Sequence, residues 1–286
     1  MTQLKPFYTN VRAHYDLSNE FYELFLDPTM SYSCAYFERD DMTLQEAQIA
    51  KLDRAFARYD IRPGCRVLDV GFGWGYAMRH AAERYGARVI GLTLSQAQYD
   101  YVEKSLAEHP PTNGHIELRI QGWEQFDEPV DRVMSFEVFE HFRHERYRPF
   151  FDRCRKVLTD GGKMVIQTNA WTDRDEMQRE GLEVTHEQVK FAKFIRNEIF
   201  PGAMLPEPAN VIRVAREAGF DVPQVESLRP HYVRTLDHWA TALEANRDRA
   251  IELTSQRSYD NYLKYLRGCE KYFGTGHIDV PQFVMC

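Results

Sequence analysis

The segment "RVLDVGFGWG", residues 66–75, limits the fold of this chain more than any other stretch. Its first five residues are mostly apolar and predict a buried strand, and the three glycines after it predict a tight loop. Because glycine has no side chain, the backbone of such a loop can approach a ligand closely. The segment therefore predicts a strand, loop and helix that bind a ligand at the end of the strand.

The pattern around this segment alternates between strands and helices, which is typical of a parallel sheet covered by helices on both faces. Thr43 and Glu46 form a capping-box pattern at the start of the helix that precedes the alternating region. Strands are predicted at 66–70, 88–92, 116–121, 131–135, 163–168 and 221–228. Helices are predicted at 11–27, 43–59, 75–86, 95–107, 145–157, 207–218, 235–251 and 256–272.

Three segments fall outside this alternation. Residues 31–37 predict a loop or a short strand. Residues 170–206 are helical in pattern and predict an insertion over the strand ends, where ligands bind in such sheets. Residues 277–285, "HIDVPQFVM", predict an edge strand that returns to the sheet.

Composition excludes several classes of protein. The net charge of -7 disfavours a broad contact with nucleic acid. Five scattered cysteines without a C-x-x-C pair predict a reduced, cytoplasmic chain. No run of 18 apolar residues occurs, so no membrane span is expected. The first residues, "MTQLKPFYTN", contain no apolar signal region, so secretion is not expected either. The sequence contains no zinc-binding motif, and no metal site is expected.

The spacing of the glycine loop selects among nucleotide-type ligands. It lacks the G-x-G-x-x-G of dinucleotide binders, and no G-K-[ST] follows it. The pattern Gly71-x-Gly73-x-Gly75 instead fits S-adenosylmethionine (SAM) methyltransferases, in which Asp69 would lie near the ammonium group of the cofactor.

The next two strand ends supply further candidate cofactor contacts. The second strand does not end in an acid, so Thr93 and Gln98 are the candidates for the ribose, although Thr93 also suits the cap of the next helix. After the third strand, Trp123 suits either the face of the adenine or the core, and Glu124 is a candidate for the adenine edge.

Six longer blocks closely resemble the cyclopropane fatty acid synthase family, and above all the mycolic acid cyclopropane synthases and methyltransferases of mycobacteria. The resemblance runs essentially from end to end. The blocks are "AHYDLSNEFYELFLDPTMSYSCAYFERDDMTLQEAQIAKLD", "GLTLSQAQ", "GWEQFDEPVDR", "FEHFRHERY", "KFIRNEIFPG" and "PHYVRTLDHWATALEAN".

The resemblance implies an α/β class I SAM-dependent methyltransferase with a Rossmann-like, seven-stranded, mostly parallel sheet. It implies one domain over 1–286. Within that domain it implies a helical cap at 1–60, a SAM-binding core at 61–169, a lid insertion at 170–206, and substrate-side helices with the final strands at 207–286. It also adds Tyr32, Ser33 and Leu94 to the cofactor contacts.

The chemistry of the family is methyl transfer from SAM to a carbon–carbon double bond, which gives a carbocation. Aromatic faces can stabilise that cation if water is excluded. A bound bicarbonate is then thought to take a proton from the new methyl, and a cyclopropane closes. The resemblance places Cys34, Glu140 and Tyr232 around that anion.

Three residues near this centre depart from the family pattern. Gln167 replaces the family histidine, Asn169 adds an amide, and Glu137 stands where close relatives have glycine. Glu137 could contact the SAM ammonium, contact a polar substrate group or act as a protein-borne base. It could equally belong to an S-x-E-x-x-E-H pattern that other class I methyltransferases share.

An acyl channel is also implied by the resemblance, although the same residues could simply pack helices together at i, i+3, i+4 spacing. The candidate substrate contacts are Tyr15, Phe200, Leu205, Leu236, Tyr265, Cys269 and Phe273. The last three would share one helix face.

The function that follows is transfer of a methylene or methyl to the double bond of a long acyl chain, carried by a carrier protein or a lipid. SAM is the cofactor, with bicarbonate as a candidate ion, and a peripheral membrane contact is left open. One alternative is a specialised-metabolism enzyme that acts on a polar or aromatic small molecule, such as a small alkene. Another is a SAM-binding protein without catalysis.

Overall fold

A seven-stranded sheet in the order β3-β2-β1-β4-β5-β9-β7 forms the centre of the computed structural model, which describes residues 17–286. The strands are β1 (Arg66–Val70), β2 (Arg88–Thr93), β3 (His115–Ile120), β4 (Val130–Phe136), β5 (Leu158–Gln167), β6 (Ala170–Trp171), β7 (Gln224–Ser227), β8 (Ile278–Asp279) and β9 (Pro281–Met285). The first five pair in parallel, and β9 is antiparallel to both β5 and β7. The α/β class and the mostly parallel sheet are confirmed.

The helices follow the predicted alternation closely. They are α1 (Asn19–Glu23), α2 (Leu44–Arg58), α3 (Tyr76–Tyr85), α4 (Gln96–Glu108), α5 (His144–Val157), α6 (Arg174–Arg179), α7 (His186–Phe194), α8 (Pro208–Glu217), α9 (Arg229–Ala245), α10 (Arg247–Leu253) and α11 (Gln256–Gly274). The capping box of Thr43 and Glu46 at the start of α2 is present.

Successive residues of the central strands are buried on opposite faces of the sheet. Leu68 and Ile166 pack on one face with α5 and α8, whereas Val67 and Val165 pack on the other with α2 and α3. A strand that is buried on both faces is apolar along its whole length, which is why these segments are recognisable in the sequence. The ends of β1, β4 and β5 meet at one edge, where their loops face a third, largely aromatic cluster built from α1, α9 and α11.

Two predictions about the second half of the chain are wrong. The predicted edge strand at 277–285 splits into β8, which pairs with β6, and β9, which lies inside the sheet between β5 and β7. All five residues of β9 are buried, so the apolar run reflects an interior position. The predicted helix at 235–251 is two helices, α9 and α10, which are separated at Asn246. The first of them also begins earlier than predicted, with Pro230 in its first turn.

The predicted helix at 11–27 falls partly outside the described residues. Within them it is limited to α1, which Ser18 caps by accepting a hydrogen bond from the Phe21 backbone N–H. Residues 31–37 are a loop.

The interior position of β9 makes a stability prediction. Replacing Phe283, which is fully buried, by Ala should lower the free energy of unfolding by about 3–5 kcal/mol, because the cavity left in the core cannot collapse fully. Val225, its register partner on the edge strand β7, is 41% exposed, and Val225→Ala should cost less than about 1 kcal/mol. Urea unfolding of the two variants checks the contrast, and equal losses would contradict the interior assignment.

Candidate active site

The glycine loop after β1 forms the floor of a cavity at the carboxyl edge of the sheet. Gly71 and Gly75 have φ angles of 86° and 85°, in the left-handed region. A Cβ at Gly71 would lie 2.5 Å from Val138 Cγ2, and one at Gly75 would lie 2.8 Å from Val102 Cγ1. Conformation and crowding both favour glycine at these two positions.

This cofactor cavity has a volume of about 190 Å³. Every residue that the sequence predicts as a cofactor contact lines it: Tyr32, Ser33, Asp69, Gly71, Gly73, Gly75, Thr93, Leu94, Gln98, Trp123 and Glu124. They come from the ends of three strands and from the loop before α2, which the parallel sheet brings to one edge.

Asp69 provides a test of whether the cavity suits a cationic ligand. The side chain is 2% exposed, and among the residues that the structure describes its Oδ2 has no hydrogen-bond partner. Burial raises the pKa of Asp69 to about 8. A buried carboxyl group with an unpartnered oxygen at the cavity wall fits the ammonium group of SAM.

Trp123 lines the cofactor cavity and also packs in the core, so its contact with the adenine stays a prediction. Its ring meets Phe150 edge to face, with ring centroids 5.3 Å apart. The Glu124 carboxylate beside it forms a buried ion pair with Arg146, a residue that sequence reasoning missed. Burial raises the pKa of Glu124, and the Arg146 guanidinium opposes that shift.

Two polar side chains after β2 are fixed by each other. The Thr93 hydroxyl donates to Gln98 Oε1 at 3.2 Å and accepts from the Ser95 backbone N–H at 3.1 Å. Thr93 therefore helps to shape the start of α4 while it lines the cavity, and its contact with the ribose stays a prediction.

A second, larger cavity of about 1180 Å³ adjoins the first. The candidate substrate contacts that the structure describes all line it: Phe200, Leu205, Leu236, Tyr265, Cys269 and Phe273. The last three lie along one face of α11, as their spacing predicts. Tyr15 lies outside the described residues.

The two cavities meet at four side chains that line both: Tyr32, Glu137, His141 and Phe200. A group transferred from a ligand in the first cavity to a ligand in the second would pass at this junction. The Phe200 ring packs edge to face against Tyr265, with centroids 5.4 Å apart.

Glu137 accepts four hydrogen bonds at the junction. Its Oε1 accepts from the Cys34 backbone N–H at 2.7 Å and from Gln167 Nε2 at 2.9 Å. Its Oε2 accepts from the Tyr232 hydroxyl at 2.7 Å and from Asn169 Nδ2 at 3.2 Å. Cys34 and Tyr232, two of the residues predicted around an anion, thus donate to a carboxylate of the chain itself, together with Gln167 at the position of the family histidine.

Glu140 lies beside this cluster and is held by the segment that follows β5. Its carboxylate accepts from the Thr168 hydroxyl at 2.9 Å and from Asn169 Nδ2 at 2.6 Å. Burial raises the pKa values of Glu137 and Glu140, and the negative charge of Glu140 raises the pKa of Glu137 further. The Asn169 amide bridges the two carboxylates.

Cys34 contributes backbone rather than thiol to the cluster. Its side chain is fully buried, and burial together with the charge of Glu137 raises the pKa of the thiol well above its ordinary value. A neutral, buried thiol is a poor nucleophile. The group that Cys34 offers to the cluster is therefore its backbone N–H.

Sequence reasoning also missed Lys51, a buried cation of α2. Its Nζ donates to the Ser33 hydroxyl and to Gln48 Oε1, each at 2.7 Å, and Gln48 Nε2 donates to the Ser33 carbonyl at 2.8 Å. Burial lowers the pKa of Lys51 to about 8. Gln48 and Lys51 lie on the buried face of α2, with Ala47, Leu52 and Ala55. Polar residues on an otherwise apolar helix face are the pattern in the sequence that could have revealed these two.

The sequence is similar to known proteins over almost its whole length. The model of the mycolic acid cyclopropane synthetase family matches residues 2–283. Cyclopropane mycolic acid synthase 3 of Mycobacterium tuberculosis is 52% identical over 283 residues, which cover 99% of this chain and 98% of that protein.

Two solved structures agree over the whole length. The cyclopropane synthase MmaA2 from Mycobacterium tuberculosis superposes with a TM-score of 0.96 at 46% identity, covering 99% of both chains. Mycolic acid cyclopropane synthase CmaA1, complexed with SAH and CTAB, superposes with a TM-score of 0.94 at 49% identity, again covering 99% of both. The chain therefore belongs to the mycolic acid cyclopropane synthetase family and is a SAM-dependent methyltransferase with the class I fold.

Proposed function

We propose that this enzyme methylates a carbon–carbon double bond in a long acyl chain and completes the reaction as a cyclopropane by loss of a proton. The observation that carries the proposal is the cavity of about 1180 Å³, walled largely by apolar and aromatic side chains, that opens onto the cofactor cavity. A hydrocarbon chain gains free energy from each methylene that such a wall removes from water, about 0.8 kcal/mol per CH₂.

The size and lining of this cavity argue against the alternative substrate. A polar or aromatic small molecule would leave much of the apolar wall uncovered. A SAM-binding protein without catalysis is likewise disfavoured, because the chain belongs to a family of enzymes.

SAM, when bound, supplies a methyl group on a positively charged sulfur. On the protein side, Asp69 would hold its ammonium group and the loop of Gly71, Gly73 and Gly75 would pass beneath it. Thr93 and Gln98 would face the ribose, and Trp123 would cover the adenine. These contacts would direct the methyl toward the junction of the two cavities.

The walls of the junction suit a carbocation. Tyr32, Phe200, Tyr232, Tyr265 and Phe273 all line the larger cavity, and the Tyr232 and Phe273 rings lie 4.6 Å apart. Aromatic faces attract positive charge, and a dry site prevents water from adding to the cation. The aromatic residues would thus protect the cation until its proton is removed.

The mouth of the larger cavity combines apolar and cationic groups. Val184 and Val189 are 66% and 55% exposed there, and the cations Lys193 and Arg196 belong to the same lining. We propose that an acidic acyl carrier protein presents the acyl substrate at this mouth. The negatively charged surface of such a carrier would complement these local cations, although the enzyme as a whole has a net charge of -7.

Two further observations bear on location. All five cysteines are unpaired, which supports our proposal of a reducing, cytoplasmic setting. None of the helices within residues 17–286 is both long enough and apolar enough to cross a bilayer.

The role of Asp69 predicts a pH-dependent affinity. Because its pKa is raised to about 8 and an ammonium group favours the charged form, binding of S-adenosylhomocysteine should release a proton below that pH. The affinity should rise from pH 6 to pH 8 by up to about tenfold per unit. Calorimetry in two buffers of different ionisation enthalpy measures both effects. Asp69→Asn should weaken binding and abolish them, whereas the exposed Asp100→Asn should not.

The acyl channel predicts a length-selective variant. Cys269→Phe places a ring in the larger cavity and should lower kcat/KM for a long-chain alkene about tenfold, a loss that corresponds to roughly 1.4 kcal/mol of binding. Cys269→Ser, which adds no volume, should not. A short-chain alkene and the affinity for S-adenosylhomocysteine serve as internal controls. Equal loss on short and long substrates would contradict the channel.

The mouth predicts selective loss with a carrier-bound substrate. Arg196→Glu should raise KM for acyl chains on an acidic carrier several-fold, and added salt should shrink the difference from the parent enzyme. A detergent-dispersed acyl substrate should be unaffected. Equal activity on carrier-bound chains, or a preference for anionic vesicles over the carrier, would reject the carrier assignment.

A further inference from the structure

Glu137 has an unusual backbone conformation for a glutamate. It directly follows β4 and has a φ of 54°, in the region that glycine favours. A side chain with a Cβ is strained there, and such strain persists when the surroundings hold it in place. The Glu137 backbone N–H is also tied to the carbonyl of Gln167 at 2.6 Å.

The surroundings hold the carboxylate as if it were a bound anion. Its four donors come from separate parts of the chain: the loop before α2 (Cys34), the end of β5 and the residues after it (Gln167 and Asn169), and α9 (Tyr232). Each carboxylate oxygen therefore accepts two hydrogen bonds. The residue Glu137 is 9% exposed and lines both cavities.

The charged and titratable groups around it permit both protonation states. Lys51 of α2 lies close enough for its positive charge to favour the carboxylate, whereas burial and Glu140 favour the acid. Burial and the charge of Glu137 raise the pKa of Tyr232 well above its ordinary value, so its hydroxyl remains a donor. Cys34 remains a neutral thiol for the same reasons. A base with an elevated pKa can both accept a proton and release it near neutral pH.

We propose that the Glu137 carboxylate is the base that closes the ring, so that this enzyme works without bicarbonate. The inference rests on the proposed methyl transfer to an alkene. A C–H bond of the new methyl breaks, its electron pair forms the third C–C bond of the ring at the cationic carbon, and the proton passes to Glu137. The resulting carboxylic acid returns the proton to solvent after the product leaves.

The same donors cannot serve two anions at once. The Cys34 N–H and the Tyr232 hydroxyl each have one proton, and both are given to Glu137. A bicarbonate bound to them would need Glu137 to leave, and would bring a second negative charge beside Glu140. The carboxylate of Glu137 therefore occupies the place of the anion, at the junction of the two cavities.

The test compares turnover in buffer stripped of carbon dioxide with turnover after bicarbonate is added. The parent enzyme should form cyclopropane product at the same rate in both. Glu137→Gly, which removes the base and also relieves the backbone strain, should lose at least about 10²-fold in kcat. Added bicarbonate should restore part of that loss, because the Cys34 N–H and the Tyr232 hydroxyl are then free to donate to it. Exposed Glu108→Gln is the matched control and should behave as the parent does.

Two readouts keep the outcomes apart. Calorimetry with S-adenosylhomocysteine and circular dichroism establish that Glu137→Gly is folded and binds cofactor. A parent enzyme that loses turnover in stripped buffer and recovers with bicarbonate overturns the role of Glu137, as does a Glu137→Gly variant with undiminished rate. A parent enzyme that forms no S-adenosylhomocysteine from any acyl alkene overturns the methyl transfer itself.

Discussion

The buried carboxylate of Glu137 is the constraint on which the arrangement of this site depends. A charge taken out of water is costly unless hydrogen bonds replace its hydration. Here the replacements come from a loop near the start of the described chain, from the end of β5 and from α9, so one carboxylate ties together segments that are distant in sequence. The aromatic cluster of α1, α9 and α11 then packs against the loop and α9.

The sheet explains why the two cavities meet where they do. Parallel strands deliver all their carboxyl ends to one edge, and the residues just beyond β1, β2, β4 and β5 become neighbours there. The glycine loop leaves room for a cofactor on one side of β4, while the helices α9 and α11 leave an apolar space on the other. Glu137, at the end of β4, therefore faces both spaces.

Local patterns in the sequence predict a good deal of this. The strand that ends in Asp69 and runs into the glycine loop, and the capping box of Thr43 and Glu46, depend on residues close in sequence and are found as expected. The placement of β9 depends on which strands flank it, information that no local pattern contains. The partners of Glu137 are equally non-local: the sequence marks Glu137, Gln167 and Asn169 as departures, but only the fold shows that they contact one another. Lys51 was missed because a lysine on a helix ordinarily faces solvent.

The interior position of β9 has a consequence for how the protein is made. Residues 281–285 bridge β5 and β7, which are complete much earlier in the chain, so β7 has no strand to pair with until β9 has been synthesised. Gln282 of β9 also donates to Gln167 Oε1 at 3.2 Å, and Gln167 in turn donates to Glu137. The orientation of the proposed base is thus influenced by a residue that follows Gln167 by 115 positions in the chain. Catalytic geometry would arise only once that residue has been synthesised, after the cofactor-binding half of the sheet has had time to form.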